Sequence, residues 1–82
     1  MEHNQFENIE SMLNALKEDN AVPKNVRLKI ENIIEVLNGK TEVQIKVSKV
    51  LNELEEIADD VNLESYTRTQ VWNVVSALEK IK

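Results

Sequence analysis

Val22-Pro23-Lys24-Asn25-Val26-Arg27-Leu28-Lys29-Ile30-Glu31-Asn32-Ile33-Ile34-Glu35-Val36-Leu37 reads as a turn followed by an amphipathic helix, and a second version of it follows later in the chain. Arg27-x-x-Ile30-x-Asn32-Ile33-Ile34-x-x-Leu37 aligns without a gap on Arg68-x-x-Val71-x-Asn73-Val74-Val75-x-x-Leu78, an offset (68 − 27) of 41 residues. A period of this size accommodates one pair of helices. Such a pair cannot bury its apolar face alone and needs a second pair against it. The sequence therefore predicts an all-α protein: an antiparallel, up-and-down four-helix bundle built from two repeated helical hairpins.

Working outward, Val22 is biased to an extended conformation by the proline after it. Pro23 suits the first helical position, where its missing amide donor costs nothing. The helix that follows should bury Val26, Ile30, Ile33, Ile34 and Leu37. Asn38-Gly39 should end it, with Gly39 in the left-handed closing conformation. Upstream, a first helix is expected from about Asn4 to Glu18, with Phe6, Ile9, Met12, Leu13 and Leu16 on one stripe. Asn4 with Glu7 reads as a capping box, and Asp19-Asn20 as a turn.

Downstream, Thr41-x-x-Gln44 has the capping-box pattern at the head of a third helix. Its stripe is Val43, Val47, Val50, Leu51, Leu54, Ile57 and Ala58, and it stops at Asp59-Asp60. The β-branched start alternates like a strand, but the helical period continues past Leu54 and decides for helix. A fourth helix, from about Glu64 to Ile81, should bury Val71, Val74, Val75, Leu78 and Ile81. One domain over residues 1–82 follows, with hairpins at roughly 4–38 and 41–81. Ile9, Met12, Leu13, Asn14 and Leu16 also align with Val47, Val50, Leu51, Asn52 and Leu54, at an offset (47 − 9) of 38. That places an insertion near Ile57-Ala58 and makes the third helix about a turn longer than the first.

Composition narrows the functional classes. A chain of 82 residues buries only about 60% of the surface it exposes when unfolded. Hydrophobic residues make up 41% and charged residues 30%, which suits a core under a solvated helical surface. There is no cysteine, so disulfides and thiolate metal sites are excluded and a cytoplasmic location is expected. The polar start Met1-Glu2-His3-Asn4-Gln5 is followed by no apolar run of signal-peptide or membrane-span length. The net charge of −5 divides unevenly: −4 over residues 1–23, +3 over 24–49 and −4 over 50–82. An acidic total opposes general binding to phosphate backbones. The basic middle leaves room for a weak contact with RNA or an acidic partner through Lys24, Arg27, Lys29, Lys46 and Lys49.

Val22-Pro23-Lys24-Asn25-Val26-Arg27, Asp59-Asp60, and Thr67-Arg68-Thr69-x-x-Trp72-Asn73-Val74-Val75-Ser76-x-Leu78-Glu79 together resemble a small archaeal family of unknown function, UPF0147. The resemblance covers nearly the whole chain, and Arg68-Thr69-x-x-Trp72-Asn73 is its most specific part. It implies an all-α four-helix bundle and assigns no activity and no catalytic residues. Family members usually carry proline where this chain has Glu64, and often histidine where it has Tyr66. Each half is also similar, more weakly, to a HEAT-type helical pair, with Val-Arg or Thr-Arg opening the second helix after an acidic turn.

Arg27 and Arg68 hold equivalent places one turn into their helices. Each is expected to reach back to the acidic turn before it, Asp19 or Asp60, and clamp the hairpin with its rigid donor fork; an anion site is the alternative. Asn32 and Asn73 are expected to bond neighbouring backbone and fix helix register, with ligand binding as the alternative. Trp72 lies about 100° from Val71 and is expected to pack at the edge of the core, or else to serve as an exposed interface anchor. Leu28 and Ile45 point away from their stripes, either as scattered surface residues or as a contact patch for a second chain.

No chemistry-bearing constellation is present. Calcium loops need alternating ligands and a glycine at the bend, which the acidic run Glu53, Glu55, Glu56, Asp59, Asp60 and Glu64 lacks. Di-iron bundles need Glu-x-x-His pairs, and the sole histidine is His3. No serine has a histidine partner at a useful spacing, and no glycine-rich phosphate loop occurs. The expectation is a non-enzymatic protein-interaction module with no cofactor, metal or membrane association. Its partner would be another protein or a second copy. An accessory factor for RNA or the translation machinery is the alternative.

Overall fold

Four helices, α1 (Glu7–Glu18), α2 (Lys24–Asn38), α3 (Val43–Ala58) and α4 (Ser65–Glu79), make up a computed structural model that describes residues 6–81. Their order around the bundle follows the chain: α1 packs on α2, α2 on α3, α3 on α4, and α4 closes back on α1. Connections this short force each helix to run antiparallel to the one before it. Among the described residues there is no strand, and no helix is long and apolar enough to cross a membrane.

The stripes meet in one interior. Ile9 and Leu13 of α1, Ile30 and Ile33 of α2, Val47, Val50, Leu54 and Ile57 of α3, and Val71, Val74 and Leu78 of α4 are fully enclosed. Each contributes about 1.5–3 kcal/mol relative to exposure. Met12, Ile34 and Ile81, expected in the core, are only partly buried at its margin. Val43 is exposed at the first position of α3. The turns add Val22 and Leu63, both buried.

One offset describes the whole chain. Shifted by 41 residues, Phe6 falls on Val47, Ile9 on Val50, Leu13 on Leu54 and Leu16 on Ile57, and both members of every pair are buried. Val22 falls on Leu63, Ile30 on Val71, Ile33 on Val74 and Leu37 on Leu78, again buried in pairs. The matched turns decide against the expected insertion near Ile57-Ala58: α1 ends one residue before Asp19 and α3 two residues before Asp60, which leaves no room for three extra residues there. α3 has 16 residues against 12 in α1. Its additional residues lie at its start, opposite positions before α1, and not near its end.

The helix ends depart from the sequence reading. Gly39 has φ −74° and ψ 177°, an extended conformation open to any residue. α2 closes instead with the Gly39 amide donating to the Val36 carbonyl at 3.1 Å. The Thr41-x-x-Gln44 box does not form: Glu42 precedes α3 and no side chain caps it. Pro23 stands just before α2, one position earlier than expected. Asn4 lies outside the described residues.

Candidate functional site

The two inter-helix turns are built alike. In the first, the Ala21 amide donates to Asp19 Oδ1 at 2.9 Å and the Val22 amide to the Asp19 carbonyl at 3.2 Å. In the second, the Asn62 amide donates to Asp60 Oδ1 at 2.9 Å and the Leu63 amide to the Asp60 carbonyl at 3.1 Å. These are Asx-turns, in which a carboxylate imitates a backbone carbonyl. Each arginine then reaches over its turn. Arg27 Nη2 donates to the carbonyls of Asp19 at 3.1 Å and Val22 at 3.4 Å. Arg68 donates from Nη2 to the Asp60 carbonyl at 2.8 Å and from Nε to the Ala58 carbonyl at 2.8 Å.

The clamp therefore bonds backbone carbonyls. The carboxylates expected as its partners are turned toward their own following amides. Arg68 uses two nitrogens of its fork, whereas the buried Nε of Arg27 has no partner.

Other expected site residues fall elsewhere. Asn32 and Asn73 are exposed, and neither amide has a hydrogen-bond partner among the described residues, so the expected register bonds are not made. Trp72 is 45% exposed and is not a core residue. Leu28 and Ile45 are exposed at 56% and 53%, as their phases required. Lys46 Nζ donates to the Leu37 carbonyl at 3.0 Å, which sets the start of α3 beside the end of α2. Leu28 lies nine residues earlier, about 13 Å down the helix at 1.5 Å per residue.

The basic residues also divide. Lys46 closes the end of α2 and stands 5.7 Å from the centre of the Phe6 ring, and Arg27 is held by its turn. Lys24 and Lys29 are exposed on α2 but about 140° apart around it.

What the sequence did not reveal is a crevice of about 190 Å³ between α1 and α4. Met12, Ala15 and Leu16 of α1 and Asp19 just after it line one side, and Tyr66, Gln70 and Val74 of α4 the other. Its floor is apolar and its rim carries a carboxylate, a phenol and an amide, with no cationic residue in the lining. Among the described residues no cluster of His, Cys, Asp or Glu could hold a metal ion.

The 41-residue offset supplies an internal comparison at the α2–α3 junction. Met12 and Ala15 correspond there to Glu53 and Glu56, while Tyr66 and Gln70 correspond to Asn25 and Lys29. Glu53 lies two turns from Lys46 on the same side of α3, so it faces α2. The fold thus accepts charged groups at these positions, and at the α1–α4 junction it carries the uncharged Met12, Ala15, Tyr66 and Gln70.

A model of the Uncharacterised protein family (UPF0147) matches residues 1–81. The chain belongs to this family. Two solved structures of UPF0147 proteins are similar to the chain. One is a protein of unknown function, MMP1188, from Methanococcus, with a TM-score of 0.88 and 37% identity over 95% of this chain and 90% of that one. The other is a protein from Thermoplasma acidophilum, with a TM-score of 0.90 and 31% identity over 96% and 94% of the two chains. Both share the all-helical fold of the family. No curated protein matches the chain.

Proposed function

We propose that this UPF0147 protein is a non-catalytic, cytoplasmic interaction module that holds a partner protein at the α1–α4 junction. The crevice carries this reading. It is an opening of about 190 Å³ in a bundle whose equivalent junction bears Glu53, Glu56 and Lys29 in place of Met12, Ala15 and Gln70. A cavity with an apolar floor and a few convergent polar groups is the usual form of a binding site. RNA is the alternative partner: Lys24, Lys29 and Lys49 are exposed, while Arg27 and Lys46 donate to backbone carbonyls.

Affinity capture from native lysate at near-physiological salt tests the proposal. A stoichiometric protein partner, lost when Ala15→Glu is combined with Gln70→Lys, is the expected outcome. Capture of RNA that fades steeply with added salt would favour the alternative. A monomer in sedimentation with no captured partner would count against the module.

A further inference from the structure

The geometry points to the α1–α4 crevice as a seat for one lysine or arginine side chain, projected from a basic segment of the partner protein. This rests on the interaction-module reading and specifies its chemistry. Met12, half-buried beside the buried Leu16 and Val74, supplies apolar surface of the kind that long basic side chains use for their methylene stems. At the rim stand Asp19, Tyr66 and Gln70. Asp19 Oδ1 accepts from the Ala21 amide, and its second oxygen has no hydrogen-bond partner among the described residues. That oxygen can accept a charge-assisted bond, which is stronger than a neutral one.

The neighbouring cation does not fill this role. The Arg27 guanidinium is committed to the carbonyls of Asp19 and Val22. The two elements that line the crevice have the same sign as the rim: residues 7–19 carry −3 and residues 64–79 carry −1. Such a field draws in a cation and repels phosphate. Size sets the remaining limit. A cavity of about 150 Å³ holds benzene, so about 190 Å³ takes a single side chain and not a helix face.

Nitrogen–proton correlation spectra of the full chain, titrated with blocked pentapeptides Ala-Ala-X-Ala-Ala, test this. X is lysine, arginine, norleucine or glutamate. Lysine and arginine peptides should shift the amides of Ala15, Asp19 and Gln70 saturably, at midpoints about tenfold below that of norleucine. Asp19→Asn keeps the oxygen that holds the turn and removes the charge, so it should abolish that preference. Ala15→Glu combined with Gln70→Lys copies the α2–α3 junction and should abolish the shifts while leaving the helical circular dichroism unchanged.

Equal midpoints for lysine and norleucine, saturable binding of the glutamate peptide, or shifts confined to other helices would overturn the inference. Tighter binding of putrescine than of either basic peptide would overturn the assignment to a protein side chain. A partner captured equally by the wild type and the double variant would remove the crevice and leave the module. Peptide titration as expected, with no partner captured, would do the reverse.

Discussion

Thr67 occupies in the second hairpin the place that Val26 occupies in the first. Each is the third residue of its helix, each precedes a clamp arginine, and each is 1% exposed. The difference is a hydroxyl, and Thr67 Oγ1 is buried without a hydrogen-bond partner. A buried unsatisfied polar group costs about 1–3 kcal/mol. Thr67→Val is therefore expected to stabilise the bundle by about 1 kcal/mol, read as a higher urea midpoint with an unchanged slope. Val26→Thr should lower the midpoint.

The arginine clamps should differ in strength. Arg68 makes two bonds at 2.8 Å from two nitrogens, while Arg27 makes longer bonds from one nitrogen and leaves Nε unpartnered. Hydrogen bonds from charged donors contribute about 1.5–3 kcal/mol each. Arg68→Met is expected to cost at least about 1 kcal/mol more than Arg27→Met in chemical denaturation. Arg68→Lys should not restore the loss, because one ammonium cannot reproduce the planar fork.

Ile33 and Leu54 are fully enclosed, and Leu28 is exposed. Ile33→Ala and Leu54→Ala are expected to cost about 2–5 kcal/mol each, against less than about 1 kcal/mol for Leu28→Ala. Thermal or urea unfolding of the three variants measures the contrast.

Glu64 has φ −66° and ψ 150°, close to the φ −58° and ψ 149° of Pro23 at the matching position. Its amide enters no backbone hydrogen bond among the described residues. Glu64→Pro would restrict the unfolded chain without straining the folded one. It is expected to stabilise by about 0.4–1 kcal/mol, measurable as a rise in midpoint temperature.

The core was legible in the sequence because burial imposes a helical period that few residue types satisfy. Ile30, Ile33, Leu54 and Leu78 follow from spacing alone, and all are enclosed. The 38-residue alignment of the first and third helices misled for a related reason. A three-residue slip moves a side chain about 300° around a helix, nearly a full turn. Leu13 therefore aligns equally well with Leu51 or Leu54, both buried, and it is the matched turns at Asp19 and Asp60 that distinguish the registers.

Helix ends were less legible, since capping at Gly39 or Thr41 is decided by how the chain must turn to reach the next helix. Trp72 was ambiguous because a position about 100° from the stripe can lie on either side of the solvent boundary. The α1–α4 crevice could not be read at all. It arises from which flanks of two helices, distant in sequence, come to face one another.

The stretch 38–42 is exposed throughout and is the sole covalent tie between the two matched halves. The halves carry corresponding interior surfaces, so in effect the molecule is a homodimer of α-hairpins spliced into one polypeptide. A protease nick there would leave two fragments held together by their shared interior. What the splice permits is divergence. Two identical subunits must furnish both junctions alike, whereas a fused pair is free to place Glu53 and Glu56 at one seam and Met12 and Ala15 at the other.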